Sequence, residues 1–183
     1  QVDVSGMTNL TELRIYDMPL VTSINASGAS NLTTCSINIV PNLNQLNLSG
    51  TSINELNLLE FNQVNNLQTL NLANCTYLGT LRVNSTSLNN INLTGCSALF
   101  TLSLVNCPLT TLSLVDFNVL YYLTINNTLL THLDLSRCSN LREVNLDHNL
   151  LSFIDFTACT DLRDLSCQFN QLPTLNFSTC PVL

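Results

Sequence analysis

Eight cysteines are the residues of this chain most able to do chemistry: Cys35, Cys75, Cys96, Cys107, Cys138, Cys159, Cys167 and Cys180. Thiolates ligate zinc and iron–sulfur clusters, and thiol pairs close disulfides. A structural zinc site ordinarily draws on CxxC pairs, and none occurs here. His132 and His148 lie in different parts of the sequence pattern, with no Ser or Cys nucleophile placed to use them, and read as surface histidines. Acidic residues thicken toward the end (Asp134, Glu143, Asp147, Asp155, Asp161, Asp164) without forming the D-x-D-x-D-G loop that calcium favours. No nucleophile, base and oxyanion donor converge. The chain is therefore read as non-enzymatic, with no cofactor and no metal.

What positions these residues is a repeat. A frame LxxLxL, with other apolar residues sometimes standing for Leu, starts at Leu10, Val21, Leu32 and Leu43 and recurs in the same way as far as Leu172. Two frames make one unit, and the units beginning at Leu78, Leu99, Leu120, Leu141 and Leu162 are evenly spaced. The unit from Leu10 to Leu32 is one position longer than these, and the unit from Ile53 to Leu78 is four longer, the surplus lying around "EFNQVNN". The LxL core alternates apolar and polar, which suits a short strand with one buried face. Turns rich in Asn, Gly and Ser join these segments. No unit carries the apolar 3.6-residue period of a helix. One such coil cannot bury its own leucines, whereas stacked coils share a continuous core. The expected fold is mainly β: a solenoid of about eight 21–25-residue turns, two short strand segments per turn, with little or no helix, residues 1–183 forming a single domain.

Stacking the units explains the cysteines. One column reads Met7, Ala29, Thr51, Cys75, Cys96, Phe117, Cys138, Cys159, Cys180. A metal ligand could not be exchanged for Phe117. Neighbouring thiols such as Cys138 and Cys159 would stack about 4.8 Å apart, but their Cβ vectors would run parallel, which suits a disulfide poorly. The column is read as a ladder of buried thiols packing as small hydrophobes.

The segment "LRDLSCQFNQLPTLNFSTC", from Leu162 to Cys180, resembles the leucine-rich repeats, whose signature is LxxLxLxxNxL. It is most similar to the nested 21-residue bacterial (IRREKO-like) class, with Cys167 and Asn170 at the Cys and Asn positions of that pattern. "LREVNLDHNLLSFIDF" and "LTHLDLSRC" match nearly as well, and the likeness extends over essentially the whole chain. It departs in the Asn column, which reads Met18, Val40, Phe61, Thr86, Cys107, Thr128, Asn149, Asn170, leaving the buried Asn ladder to the C-terminal end. The resemblance implies a right-handed solenoid and a secreted or cell-surface bacterial module for adhesion or recognition.

Nine N-x-[ST] sequons occur, but Asn25, Asn47, Asn92 and Asn176 share one column, so the repeat itself generates them. That column and the next, Ser5 to Ser178, form a polar stripe; mostly Ser and broken by Ala73 and Val115, it reads as a solvated strand face rather than an ice-binding one. The opposite face is less regular. There adjacent turns are expected to bring Phe100 above Tyr121, with Tyr122 beside them and Arg142 and Arg163 next in the column, and exposed aromatics beside arginines are read as an interaction surface.

Composition narrows the partners. Charged residues are 9% of the chain, there is no lysine, and net charge is −7 with a pI near 4.3, which repels phosphate backbones, so no nucleic acid is expected. No apolar run approaches the roughly 20 residues of a membrane span. Neither end carries an atypical capping repeat, so the chain is read as a piece of a longer array, or as one whose ends meet in end-to-end self-association. The expected function is binding of a protein or carbohydrate partner at a cell surface; a structural spacer or filament segment is the alternative.

Overall fold

The computed structural model describes residues 1–59, 62–115 and 117–183. The strands, in chain order, are β1 (Val2–Asp3), β2 (Glu12–Tyr16), β3 (Ser23–Asn25), β4 (Thr34–Asn38), β5 (Gln45–Asn47), β6 (Glu55–Leu58), β7 (Thr69–Asn71), β8 (Thr80–Asn84), β9 (Asn90–Asn92), β10 (Thr101–Val105), β11 (Tyr122–Asn126), β12 (Glu143–Asn145) and β13 (Asp164–Ser166). All pairings are parallel, and each joins residues one coil apart, as Leu81↔Leu102↔Leu123↔Val144↔Leu165 illustrates. The chain is thus a β-solenoid. No helix among the described residues is long and apolar enough to cross a membrane.

The alternation in LxL decides which face each side chain takes. In β8, β10 and β11 the second and fourth residues are buried and the others partly exposed. The leucine columns from Leu32 to Leu162 are almost wholly buried and merge into one core with the cysteines. Burial of this apolar surface, shared between coils, is what no single coil could achieve.

Front and back differ. The front face holds β2 and β4, then a six-strand sheet of β6, β8, β10, β11, β12 and β13; the back face holds β1, β3, β5, β7 and β9. Two strand segments per turn therefore persist only as far as β9. The arc from front to back runs from Glu12 to Ser23 between the starts of β2 and β3, and equally from Thr34 to Gln45 between β4 and β5. From β8 it runs from Thr80 to Asn90, one position shorter. β9, delivered by this shorter arc, still pairs with β7. Beyond it the described residues form no back strand, and the later coils are joined by the front ladder and by single backbone bonds on the arc, such as Leu129 N–H to Leu109 O and Leu150 N–H to Leu130 O, both at 2.9 Å. The front is itself split: β4 and β6 are neighbours but do not pair. This break falls at the long unit that begins at Ile53.

A left-handed residue directly follows β2, β4, β8, β10 and β11, and lies three residues past β12 and β13, where the chain turns toward the back. The positions are Asp17, Ile39, Ser85, Asn106, Asn127, His148 and Phe169, with φ between 52° and 56°. Asn and Asp accept this conformation readily, whereas a β-branched residue such as Ile39 is strained by it.

Candidate recognition surface

The front ladder continues one residue ahead of the strands. Phe100 N–H donates to Gly79 O at 2.8 Å, Tyr121 N–H to Phe100 O at 3.0 Å, Arg142 N–H to Tyr121 O at 3.0 Å, and Arg163 N–H to Arg142 O at 2.9 Å. Backbones fixed in this way hold their side chains in a file. The Phe100 and Tyr121 rings stack with centroids 4.9 Å apart and planes 24° from parallel. The Arg142 guanidinium carbon lies 4.8 Å from the Tyr121 centroid, a cation–π distance. Tyr122 meets Phe100 edge-on at 5.5 Å and Tyr121 at 4.6 Å. Phe100 is 44% exposed and the two tyrosines are half-buried. Four of the five predicted patch residues are thus in contact; Arg163 follows in the file with an exposed side chain.

Beside this file runs a second column, set by strand register: Glu55↔Thr80↔Thr101↔Tyr122↔Glu143↔Asp164. A depression of about 260 Å³ opens on it, lined by Tyr122, Thr124, Glu143, Asn145, Asp164 and Ser166. Glu143 and Asp164 are exposed register partners on adjacent strands. Among the described residues the ion pairs are Arg14–Glu12 at 2.7 Å and Arg82–Glu55 at 3.3 Å, and neither Glu143 nor Asp164 has one.

The cysteine column lies in the core. Ala29, Cys75, Cys96, Cys138 and Cys159 have no accessible surface; Thr51, Phe117 and Cys180 have almost none. All eight cysteines are thiols. The chemistry of Cys75 and Cys96 is more specific than packing alone, because each donates to a carbonyl of the preceding coil. Cys75 Sγ–H donates to Leu48 O at 3.1 Å and Cys96 Sγ–H to Leu72 O at 3.1 Å. Thr51 fills its place in the column by donating its hydroxyl to Leu48 O at 2.7 Å. Desolvation drives the thiols toward the protonated form: Cys159 is pushed up to about 12 and Cys138 to about 11.

The asparagine ladder reaches further back than the sequence suggested. Phe61 lies outside the described residues, but the buried residue of that column is Asn62. Its Nδ2 donates to Ile37 O at 3.0 Å and its Oδ1 accepts from Leu59 N–H at 2.9 Å. The extra residues of the long unit shift the register by one, which a count of frames alone missed. Asn149 is the best connected member: Nδ2 donates to Ile125 O and Leu146 O, and Oδ1 accepts from both the N–H and the hydroxyl of Thr128. Asn170, half-buried, repeats the pattern with Leu146 O, Cys167 O and Leu151 N–H.

The polar stripe on the back has a structural task that its sequence signal, Asn or Asp at one fixed column, could have revealed. Oδ1 of Asp3, Asn25, Asn47, Asn71, Asn92, Asp134, Asp155 and Asn176 each accepts from the N–H two residues on, at 2.9–3.2 Å. These are Asx turns that close every back segment carrying Asn or Asp in this column; Ser113 stands there in the remaining one. Bonding to Ser5 and Ser136 keeps the Asp3 and Asp134 carboxyls below their usual range. Both histidines are exposed, and His148 stacks on Phe169 at 4.3 Å.

No family model and no curated protein matches this sequence. Solved structures do match. An internalin (inlF) from Listeria monocytogenes aligns with 97% of this chain at a TM-score of 0.63 and 19% identity. The functional domain of InlJ from Listeria monocytogenes, described as including a cysteine ladder, aligns with 95% at a TM-score of 0.53 and 20% identity. This chain spans 66% of the first and 45% of the second. With its parallel front ladder, leucine columns and evenly repeated coils, the fold is a leucine-rich-repeat solenoid.

Proposed function

We propose that this chain is a non-enzymatic recognition or adhesion module, of the nested 21-residue bacterial class, secreted or displayed at a cell surface. It binds a protein partner through the front face centred on Phe100, Tyr121, Tyr122 and Arg142. One observation carries this reading: the aromatic and arginine side chains interrupt a repeat whose outward front positions are otherwise mostly Ser, Thr and Asn. They are also partly exposed and already stacked against one another. A rigid front ladder presents them with little ordering left to do, so little entropy is lost on binding. Tyr and Arg dominate binding energy at interfaces, each central one contributing about 2 kcal/mol or more.

The test is attachment of the labelled chain to intact cells, comparing the parent with Phe100→Ala/Tyr121→Ala and with Tyr77→Ala, an exposed aromatic outside the patch. A loss of tenfold or more confined to the double variant supports the reading. Equal attachment by all three sinks it. Carbohydrate as partner is tested in parallel by enzymatic deglycosylation of the cells, which leaves attachment intact if the partner is protein.

A further inference from the structure

We propose that the depression on β11–β13 receives an arginine side chain of the partner protein, its guanidinium lying on the Tyr122 ring and bridging to the carboxylates of Glu143 and Asp164. The assignment rests on the recognition reading above and names the chemistry of the group recognised.

Three observations converge on it. First, the two rings are used differently. Tyr121 has Phe100 one coil before it and the Arg142 guanidinium one coil after, so its neighbours in the file already occupy it. Among the described residues the ring contacts of Tyr122 are with the other two aromatics, and it lines the depression with Glu143 as its register partner. Second, Glu143 and Asp164 are like charges in direct cross-strand register, on strands about 4.8 Å apart, an arrangement that costs stability unless a cation intervenes. Among the described residues the chain's own cations do not supply one: Arg142 is committed to Tyr121, and Arg163 forms no ion pair with either carboxylate. Third, the charge of the chain is −7, with no lysine, so a basic partner is attracted over a distance as well as at contact. An aromatic face beside two carboxylates suits a planar cation that stacks and forks at once. Arginine does both; lysine, a compact ammonium, does not stack.

The experiment is an NMR titration of the whole 15N-labelled chain with N-acetyl-arginine amide, and with N-acetyl-citrulline amide as the neutral isostere. Amide shifts centred on Tyr122, Glu143, Asn145 and Asp164 are expected with the arginine probe alone. Glu143→Gln/Asp164→Asn should weaken that response about tenfold or more, since two charge-assisted bonds are lost. Because it also removes a like-charge pair, this variant should melt no lower than the parent, which shows that any lost response is not lost folding. Equal shifts with citrulline, or an unchanged response in the variant, would overturn the assignment. If the arginine probe fails while Phe100→Ala/Tyr121→Ala still abolishes cell attachment, recognition stands and the arginine assignment falls. If cell attachment is unaffected as well, both fall.

Discussion

The buried thiols make stability depend on pH in a way that can be worked out in advance. Cys138 and Cys159 have no accessible surface, and burial raises their thiols from an ordinary 9.0 to about 11 and about 12. Below pH 9 the folded and unfolded chains both hold these protons, so nothing is gained or lost. Above it the unfolded chain ionises while the folded chain keeps its protons. Stability is therefore lost as pH rises, by about 1.4 kcal/mol per pH unit for each thiol, until the folded value is reached. At pH 10 the two together remove about 3 kcal/mol, a large part of the roughly 5–15 kcal/mol that holds a domain of ordinary stability. Urea unfolding at pH 7.5 and pH 10 under reductant measures this. The reference is Cys138→Ala/Cys159→Ala, which fits the column because Ala29 is already buried in it. The parent should lose about 3 kcal/mol more than this variant between the two pH values. If parent and variant lose the same amount, the burial argument for these thiols is wrong.

Further predictions follow from individual residues. Asn149→Ala strips partners from Ile125 O, Leu146 O and the buried Thr128, and should destabilise by about 3 kcal/mol or more in urea unfolding. Ile39 sits at φ 55° while 41% exposed, so Ile39→Asn relieves strain without opening a cavity. It should stabilise by about 1 kcal/mol and raise Tm by about 2–4 °C in a thermal melt. At Gly95 φ is +79° and an added Cβ would come within 2.8 Å of Asn74 Oδ1, so Gly95→Ala should cost about 1–3 kcal/mol by the same assay. Gly6→Ala, which meets nothing within 4 Å, should cost less.

The leucine frames carried most of the architecture, because so even a period leaves only stacking as a way to bury Leu81, Leu102 and Leu123 together. The cysteine column was legible for the same reason: a site that accepts Phe117 has to be apolar. What the frames could not carry was register inside the irregular unit. Asn62 takes the ladder position there because its amide can satisfy Ile37 O, a fact of three-dimensional reach rather than of counting. Nor did alternation distinguish the two faces. "TLN" at 69–71 pairs as a strand and "TLN" at 174–176 does not, so the tripeptide alone does not decide strand pairing. At the candidate surface, the proximity of Phe100, Tyr121 and Arg142 could be read from spacing. The separate situation of Tyr122 could not, since it depends on which ring neighbours lie on which side.

The ladder confined to one face in the later coils gives the molecule an uneven elasticity. From β1 to β9, hydrogen bonds tie neighbouring coils on the back as well as, for most of that length, the front, and a strip bonded on both sides resists flexure. Beyond β9, single bonds such as Gln171 N–H to Leu151 O and Asn140 Nδ2 to Asn118 O are what tie neighbouring coils away from the front. Fanning at the back breaks no strand pairing there, only such single bonds, and the axis of that flexure runs along the front sheet from β10 to β13. The aromatic file and the acidic pair lie on that axis, where displacement during bending is smallest.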